Sequence, residues 1–356
     1  MNEKIMEKIA DRMVYLDTSI FECLQIMDTK SVKSLFVFGN DKFCSILSIG
    51  DIQRAIIRNV DIHEKVETIL DTNKIYCNEE DSISDIKKLM LAERIECMPV
   101  FDHQGNLMNV YFWTDFFPSQ RKSSQAELDL PVVIMAGGVG SRLKPLTNIL
   151  PKPLIPISEK SMLEEIFDRF SDHGCTDFYI SVNYKDEIIK YYINSLNLPL
   201  NIQFFKEDKP MGTAGSLSLL KKRLKDEYFF VSNCDILIEQ DYAEILQYHK
   251  DNHCEITIVA ALKSYHIPYG VMETGDNGIL LDLQEKPDIT LKVNSGMYLL
   301  NRTLLDEIPQ NVFFHITDLI KKVRQRGGMV GVFPVSEGSW KDMGEWENYF
   351  RLIKSK

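Results

Sequence analysis

A glycine-rich segment in the middle of the chain contains residue types that bind phosphate. Gly137, Gly138 and Gly140 are closely spaced, and Arg142 follows them. The apolar run 131–135 comes immediately before and is typical of a strand buried on both faces. Glycines let backbone amides approach an anion, and a helix beginning after the loop would add a favourable dipole. The segment therefore predicts a phosphate-binding loop between a buried strand and a helix.

Two familiar phosphate-binding motifs do not fit this spacing. The dinucleotide fingerprint requires G-x-G-x-x-G, whereas the glycines here are Gly137, Gly138 and Gly140. The P-loop requires Lys and then Ser or Thr directly after its last glycine, and Gly140 is followed by Ser141 and Arg142. The loop therefore belongs to another kind of phosphate site.

Strand and helix patterns alternate from about residue 130 onward. Apolar runs predict further strands at 178–182, 229–231, 256–259 and 330–333, and helical patterns cover 162–171 and 242–250. This alternation predicts an α/β, Rossmann-like domain over 130–356, with a mostly parallel sheet and helices on both faces.

The N-terminal part contains one pattern twice. The first copy runs from Ile20 to Asp51 and the second from Ile83 to Asp115. Each copy predicts a helix, a strand, a tight turn, a strand and the start of another helix. The polar segment 118–125 lacks apolar periodicity and marks a boundary. We therefore expect a smaller α+β domain over 1–122, with motifs at about 8–65 and 66–122.

The repeat resembles a pair of cystathionine-β-synthase (CBS) motifs, most clearly at 97–105. The resemblance implies a regulatory module that binds an adenine nucleotide, with the ribose held by an S/T-x-x-D element. Ser48 and Asp51 form this element in the first copy, whereas the second copy has Phe112 in place of the hydroxyl before Asp115. One ligand site is therefore expected to be intact and the other degraded. The alternative is that Ser48, Asp51 and Asp115 cap the helices that follow them.

The C-terminal part resembles the nucleotidyltransferases that make nucleotide sugars. Residues 137–147 match the run G-G-x-G-x-R-L-x-P-L-T, and 151–153 match the P-K-P element that follows it. Such a compound match is highly specific. Later landmarks of the family follow in order at 211–215, 233–235, 269–271, 285–287, 294–298 and 340–344.

The resemblance implies a reaction that joins a sugar 1-phosphate to a nucleoside triphosphate and releases pyrophosphate. Positioning and electrostatics dominate such an in-line transfer. The implied catalytic residues are Arg142, Lys152, Asp235 and Asp342, of which Asp235 and Asp342 hold Mg²⁺. The implied nucleotide-binding residues are Met135, Ala136, Gly137, Gly138, Gly140, Arg142, Lys152, Gly212, Thr213 and Ala214. The implied sugar-phosphate-binding residues are Gly270, Glu285, Lys286, Asn294, Gly296 and Trp340.

Each of these residues also has a plainer interpretation. A lone Asp after a strand is usually a cap or turn residue, and a Lys between prolines is usually solvated. Glu285 and Lys286 could form a surface ion pair, and Trp340 could be core packing. The joint occurrence of the elements in order outweighs these interpretations. His249 and His253 lie one helical turn apart without a third ligand nearby, so we expect a solvated helix face there.

A CBS pair ahead of such a transferase resembles the guanylyltransferases of bacterial legionaminic acid pathways, which make GDP-glucosamine from glucosamine 1-phosphate and GTP. No residue reads guanine from spacing. Mannose- and heptose-phosphate guanylyltransferases share the landmarks, as do uridylyl-, cytidylyl- and thymidylyltransferases. Two other classes are a nucleotide-sensing regulator without activity and a scaffold subunit. Inactive relatives usually lose the Arg, the Lys or a metal Asp, and all of them are present here.

The net charge and the cysteine content restrict the classes of partner and the cellular compartment that we expect. A net charge of -11 argues against a nucleic-acid partner, which would need clustered Lys and Arg. Seven cysteines occur singly with no C-x-x-C, as expected for reduced thiols in a cytoplasm. Neither a signal peptide nor a membrane span is indicated. The sequence leaves the oligomeric state open, including a homo-oligomer.

Overall fold

The computed structural model describes residues 3–40, 42–93, 95–117, 128–157 and 159–355. The chain divides into two compact units, Met1–Ser123 and Ser124–Lys356. The polar segment 118–125, predicted as a boundary, lies outside the described residues. Within the described ranges, none of the helices combines the length and the apolar composition needed to cross a bilayer.

The N-terminal unit is α+β, as predicted. Its helices are α1 (Glu3–Ile9), α2 (Ile20–Lys30), α3 (Ile49–Ile57), α4 (Ile83–Glu93) and α5 (Trp113–Phe116). Its strands are β1 (Met13–Tyr15), β2 (Ser34–Gly39), β3 (Lys42–Ser48), β4 (Cys77–Asn78), β5 (Cys97–Phe101) and β6 (Leu107–Phe112). They form two three-stranded sheets, β1-β2-β3 and β4-β5-β6, each with one parallel and one antiparallel pair.

The two copies of the repeat share a core. Phe36 and Phe38 of β2 belong to the same buried cluster as Cys97 of β5 and Val110 of β6. Because strand side chains alternate between faces, each sheet can turn one apolar face toward this cluster. Burial of these large side chains explains why the two motifs form one unit.

The C-terminal unit is an α/β domain with one large sheet. Its helices are α6 (Met162–Ser171), α7 (Asp186–Ser195), α8 (Tyr242–Asp251), α9 (Ile316–Gln325) and α10 (Trp346–Ser355). Its strands are β7 (Val132–Met135), β8 (Pro156–Ile157), β9 (Lys160–Ser161), β10 (Asp177–Val182), β11 (Asn201–Lys206), β12 (Tyr228–Asn233), β13 (Ile236–Ile238), β14 (Ile256–His266), β15 (Val271–Thr274), β16 (Leu280–Gln284), β17 (Asp288–Asn301), β18 (Val330–Ser336) and β19 (Trp340–Asp342).

The large sheet has the order β11-β10-β7-β12-β17-β14-β18. Strand β17 is antiparallel to both of its neighbours, and all the other neighbours pair in parallel. Alternate residues of β7 enter different clusters, Val132 and Ile134 on one face and Val133 on the other. Helices α6 and α8 cover the first cluster and α9 the second. The mostly parallel sheet with helices on both faces is therefore confirmed.

The α-helix expected after the glycine-rich loop is absent from the described residues, and that prediction was wrong. The chain instead makes short 3-10 turns at Ser141–Leu143, Leu146–Asn148 and Lys152–Leu154. Prolines at 145, 151 and 153 lack a backbone N–H and restrict φ, so a continuous helix cannot form here. An anion at this loop would therefore lack the dipole of a following helix.

The solvated helix face expected around His249 was also wrong. His249 is 1% exposed, because Tyr242, Ile245 and His249 form the buried stripe of α8. Its Nε2 lies 2.7 Å from Asn301 Oδ1 and its Nδ1 lies 2.8 Å from Thr257 Oγ1. Since Asn301 Oδ1 can accept but not donate, the hydrogen-bond network assigns the proton to Nε2. Burial lowers the pKa of His249.

The buried histidine predicts a pH-dependent stability. As pH falls below about 6.5, the unfolded chain binds a proton that folded His249 resists, so the free energy of unfolding should fall by up to about 1.4 kcal/mol per pH unit until the folded pKa is reached. Urea unfolding near pH 7.5 and pH 5.5, followed by tryptophan fluorescence, should show a smaller loss for His249→Gln than for the wild type. His253→Gln is the control and should keep the wild-type slope. An equal loss of unfolding free energy between the two pH values in His249→Gln and His253→Gln would contradict the prediction.

Candidate active site

Two carboxylates come together where β12 meets the C-terminal segment. Asp235 lies between β12 and β13, and Asp342 ends β19, which pairs with β13 so that Ile236 faces Asp342. The Met343 N–H donates to the Asp235 carbonyl at 2.8 Å. A Cβ on Gly344 would overlap the Asp235 carboxylate and lie 2.9 Å from Asp342 Oδ1. Glycine at 344 therefore leaves the space that both carboxylates occupy.

The surroundings of the two aspartates shift the pKa of Asp342 in both directions. Burial raises the pKa of Asp342, and the nearby charge of Asp235 raises it further. The Gly344 N–H, which donates to Asp342 Oδ1 at 2.8 Å, and the cations of Lys152 and Arg142 act in the opposite direction. Two adjacent carboxylates, Asp235 buried and Asp342 half-buried, favour the approach of a cation.

Lys152 supplies one such cation. Its ammonium forms an ion pair with Asp235, and the two side chains are 12% and 7% exposed. The 3-10 turn between Pro151 and Pro153 fixes its backbone. Its stem packs against the glycine-rich loop, since a Cβ on Gly140 would lie 2.9 Å from Lys152 Cβ. The plainer interpretation of a solvated lysine does not describe this side chain.

Arg142 supplies a second cation at the mouth of the site. Its guanidinium donates to Glu345 at 2.7 Å, and both side chains are more than half exposed. The hydrogen bond with Glu345 raises the pKa of Arg142, and the charges of Asp235 and Asp342 add to the shift. Trp346 Nε1 donates to the Lys144 carbonyl at 3.0 Å, which ties the start of α10 to the loop. The structure thus brings all four candidate catalytic residues together.

The glycine-rich loop begins at the end of β7. Met135 is paired with Asn233 of β12, and the Ala136 N–H donates to the Ser181 carbonyl at 3.0 Å. A Cβ on Gly138 would meet no atom within 4 Å, so the backbone there is open to a ligand. This open backbone lies at the same end of the sheet as Asp235.

A second loop, 211–215, is fixed by the segment before α9. The amides of Ala214 and Gly215 donate to the Phe314 carbonyl, both at 3.0 Å. Thr213 Oγ1 accepts from the Ile316 N–H at 3.0 Å. Gly212 has φ +77°, and a Cβ there would lie 2.6 Å from the Phe314 carbonyl oxygen, so a glycine is needed. These contacts hold the loop against the segment before α9.

Glu207 joins these two loops and was missed in the sequence. It is 5% exposed, accepts a hydrogen bond from the Ser181 hydroxyl, and accepts another from the Met211 N–H at 3.0 Å. A Cβ on Gly137 would lie 3.1 Å from its Oε1. Both of these donors are uncharged, whereas a buried carboxylate is usually paired with a cation. The available signal was an acidic pair, Glu207 and Asp208, directly after β11 and ahead of the 211–215 landmark.

The segments expected to contact the sugar fall into two groups. Gly296 borders the Asp235 region, since a Cβ there would lie 2.5 Å from Asn233 Nδ2. Trp340 Nε1 donates to the Ser295 carbonyl at 3.3 Å, and Asn294 Nδ2 donates to the Tyr298 hydroxyl at 2.7 Å. These contacts place 294–296 beside β13 and β19.

The second group lies on the hairpin of β15 and β16. A Cβ on Gly270 would lie 3.1 Å from Glu285 Oε2, and Lys286 is exposed with φ +48°. Among the described residues, no hydrogen bond or ion pair links Glu285 or Lys286 to the carboxylate pair. Their side chains remain available to a ligand that reaches the hairpin.

In the N-terminal unit, the predicted ligand residues also cap helices. The Asp51 carboxylate accepts from the Ser48 N–H at 2.8 Å and from its hydroxyl at 2.7 Å, at the start of α3. Asp115 accepts from the Phe112 N–H at 2.9 Å and pairs with Lys8 at 2.8 Å. The hydrogen bonds from the Ser48 and Phe112 amides stabilise the first turns of α3 and α5.

Asp51 is also held by Lys74, whose ammonium lies 2.8 Å from both carboxylate oxygens. Burial opposes ionisation of Asp51, but the hydrogen bonds from Lys74 and Ser48 outweigh it and lower its pKa.

Lys74 also lines a cavity of about 540 Å³ in this unit. The cavity lies between 43–46, 72–78 and 99–105. Its aromatic walls include Phe43, Tyr76 and Phe101, whose rings contact one another at centroid distances of 5.6 and 5.3 Å. A cation beside aromatic walls suits a planar ring that carries an anionic group.

Comparisons with known proteins agree with both units. The family model "Nucleotidyl transferase" matches residues 131–355, and the CBS domain model matches 3–58 and 66–116.

Curated relatives include the probable mannose-1-phosphate guanylyltransferase 1 of Oryza sativa subsp. japonica, 31% identical over 233 residues, which covers 63% of this chain and 64% of the relative. Another is the mannose-1-phosphate guanyltransferase of Schizosaccharomyces pombe, 33% identical, which covers 62% of each protein. The chain thus spans slightly less than two thirds of the length of these relatives.

Among solved structures, HddC from Yersinia pseudotuberculosis matches with a TM-score of 0.50 and 26% identity, covering 64% of this chain and 99% of HddC. A structure of HddC complexed with GMP-PN also matches, with a TM-score of 0.50 and 25% identity.

Proposed function

Because the chain belongs to the nucleotidyl transferase family, we propose that it transfers a nucleotidyl group from a nucleoside triphosphate to a hexose 1-phosphate. The observation that carries the proposal is the convergence of Asp235, Asp342, Lys152 and Arg142 beside an open glycine-rich loop. Two carboxylates and two cations at one edge of a sheet suit a reaction between polyanions.

In the proposed reaction, a phosphate oxygen of the sugar 1-phosphate attacks the α-phosphorus of the nucleotide. The new P–O bond forms as the bond to the β-phosphate oxygen breaks, and pyrophosphate leaves with the electron pair. Arg142 clamps the triphosphate with its planar fork, and Lys152 offsets charge at the α-phosphate. Lys286 and Glu285 on the hairpin receive the sugar phosphate and the sugar hydroxyls. These groups position two anions that would otherwise repel each other.

The carboxylate pair fits a magnesium ion. Mg²⁺ usually keeps several waters and binds through one or two carboxylates plus substrate phosphates. Asp235 and Asp342 supply two carboxylates, and the described residues contain no group of three or more metal-ligating side chains. When bound, the ion would neutralise phosphate charge during the transfer.

Replacement of either carboxylate should abolish turnover. Asp235→Asn and Asp342→Asn keep the side-chain shape but remove the charge, so pyrophosphate release should fall by at least about 10²-fold, on the scale of losing an electrostatic contact. Thermal unfolding should change little for Asp342→Asn, whereas Asp235→Asn also leaves the Lys152 ammonium without its carboxylate and should unfold at a lower temperature, so its activity is measured well below that temperature. Asp276→Asn, in an exposed turn, is the matched control and should retain activity. Near-normal Mg²⁺-dependent release by either variant would remove that residue from the site.

For the substrates, GTP and glucosamine 1-phosphate are the proposed pair. Support for GTP comes from relatives named as guanylyltransferases and from Glu207 between the two loops. Guanine offers N–H donors at N1 and N2, which a carboxylate can accept, whereas adenine has an acceptor at N1. Support for glucosamine is the fusion of a CBS pair to the transferase. Mannose 1-phosphate is the alternative that the relatives favour.

Glu207 should decide the choice of base. Loss of a charged acceptor leaves part of the guanine edge unpaired, at about 1–3 kcal/mol, so Glu207→Gln should lower kcat/KM for GTP by about 10–10²-fold. Wild-type protein should strongly prefer GTP to ATP in a pyrophosphate-release assay with several sugar 1-phosphates. Asp208→Asn, exposed and adjacent in sequence, is the control. If UTP, CTP or dTTP outperformed GTP, the guanine assignment would fall while the reaction class remained.

The N-terminal unit is proposed to regulate the transferase by binding an adenine nucleotide in its aromatic cavity. Lys74 is the suitable cation for the phosphate, because it lines the cavity. Binding would then draw Lys74 from Asp51, a buried partner. Regulation requires a coupling free energy between this unit and the active site.

Lys74→Ala should weaken nucleotide binding by about tenfold or more, since a charge-assisted contact of ~1.5–3 kcal/mol is lost. Calorimetry with AMP and ATP measures the effect on the full chain. Lys65→Ala, an exposed lysine of the same unit, is the control. A truncated chain that begins at Ser124 should retain transferase activity but lose any response to adenine nucleotides. No heat of binding from wild-type protein would remove the regulatory proposal.

A further inference from the structure

The ion pair with Asp235 places Lys152 in two proposed sites, the triphosphate site and the metal site. Lys152 is expected to contact the triphosphate, yet in the structure its ammonium contacts a proposed metal ligand. Both side chains are nearly buried, so solvent and salt screen their attraction weakly. Asp342 lies beside the same ammonium, since all three groups border the position of a Gly344 Cβ.

We propose that Lys152 is a built-in competitor of the metal ion, exchanged when metal and triphosphate bind together. This inference rests on the proposed function of the site. A divalent ion at Asp235 and an ammonium in contact with the same carboxylate repel each other. Metal entry therefore requires Lys152 to move away from Asp235.

Movement of the Lys152 ammonium away from Asp235 is unfavourable unless the ammonium gains another anionic partner. Breaking a nearly buried pair leaves an uncompensated cation, which is strongly destabilising. The lysine stem packs against Gly140, so the ammonium can swing from Asp235 toward the glycine-rich loop while its backbone stays fixed by the flanking prolines. A phosphate bound at that loop would receive the charge.

The other phosphate-binding cation shows the same arrangement. Arg142 is paired with Glu345 at 2.7 Å, so both cations of the site are engaged by carboxylates of the protein itself. Metal and triphosphate together exchange these partners, the metal taking Asp235 and the phosphates taking the cations. The affinities for metal and for triphosphate must then rise together, and the coupling is reciprocal.

The test measures Mn²⁺ binding to the full chain without nucleotide, by electron paramagnetic resonance of the free ion. Lys152→Gln removes the competing charge and should bind Mn²⁺ at least about tenfold more tightly than wild type, ~1.4 kcal/mol. Lys152→Arg keeps a cation and should remain close to wild type. Lys341→Gln is the matched control, because Lys341 pairs with Glu239 although it is adjacent to Asp342 in sequence. It should change Mn²⁺ affinity by less than about threefold.

A non-hydrolysable GTP analogue provides the second arm. It should raise the Mn²⁺ affinity of the wild type by at least about tenfold, and this enhancement should be much smaller in Lys152→Gln. Mn²⁺ affinity in Lys152→Gln equal to or below that of wild type would overturn the inference. So would the absence of coupling in wild-type protein that binds both ligands, a result that needs no variant. Failure of the wild type to bind Mn²⁺ even with the analogue would instead reject the proposed function.

Discussion

The buried contact between Lys152 and Asp235 is the interaction on which the arrangement of the site depends. It joins the proline-flanked turn after the glycine-rich loop to the connection between β12 and β13. A charge left unpaired at such a position would be strongly destabilising, so both backbone segments must stay in register. The same contact requires Gly344, because any larger residue would displace the Asp235 carboxylate.

The large sheet provides that register. Pairing of Met135 with Asn233, and of Ser232 with Met297, aligns the ends of β7 and β12 with the bend of β17 at Gly296. The antiparallel direction of β17 then brings 294–296 back past Asp235, where β19 joins β13. The glycine-rich backbone, the two carboxylates and segment 294–296 thus meet at one edge because hydrogen-bonded strands set their relative positions.

Much of this could be predicted from the sequence because the predictions rested on compound spacing. The repeat, the parallel strands and the order of the landmarks are local patterns that do not depend on distant contacts. The prediction of a helix after Gly140 was wrong because the prolines of this segment prevent it, although other phosphate loops are followed by a helix. The prediction of a solvated helix face at His249 was wrong because its partners Thr257 and Asn301 come from other elements. Glu207 was missed for the same reason, since its neighbours Ser181 and Gly137 are distant in sequence.

Both units use an aspartate that is neutralised by a lysine from another segment. The consequences differ because the two aspartates are held differently. Asp51 is fixed by the helix-capping contacts with Ser48, so a ligand can change the position of Lys74 more easily than that of the carboxylate. Asp235 is fixed by its strand connection, and there too the lysine is the flexible partner. On the proposed function, an anionic ligand would act on either unit by attracting the lysine, while the fold keeps the carboxylate in place and Arg54 still pairs with Asp51.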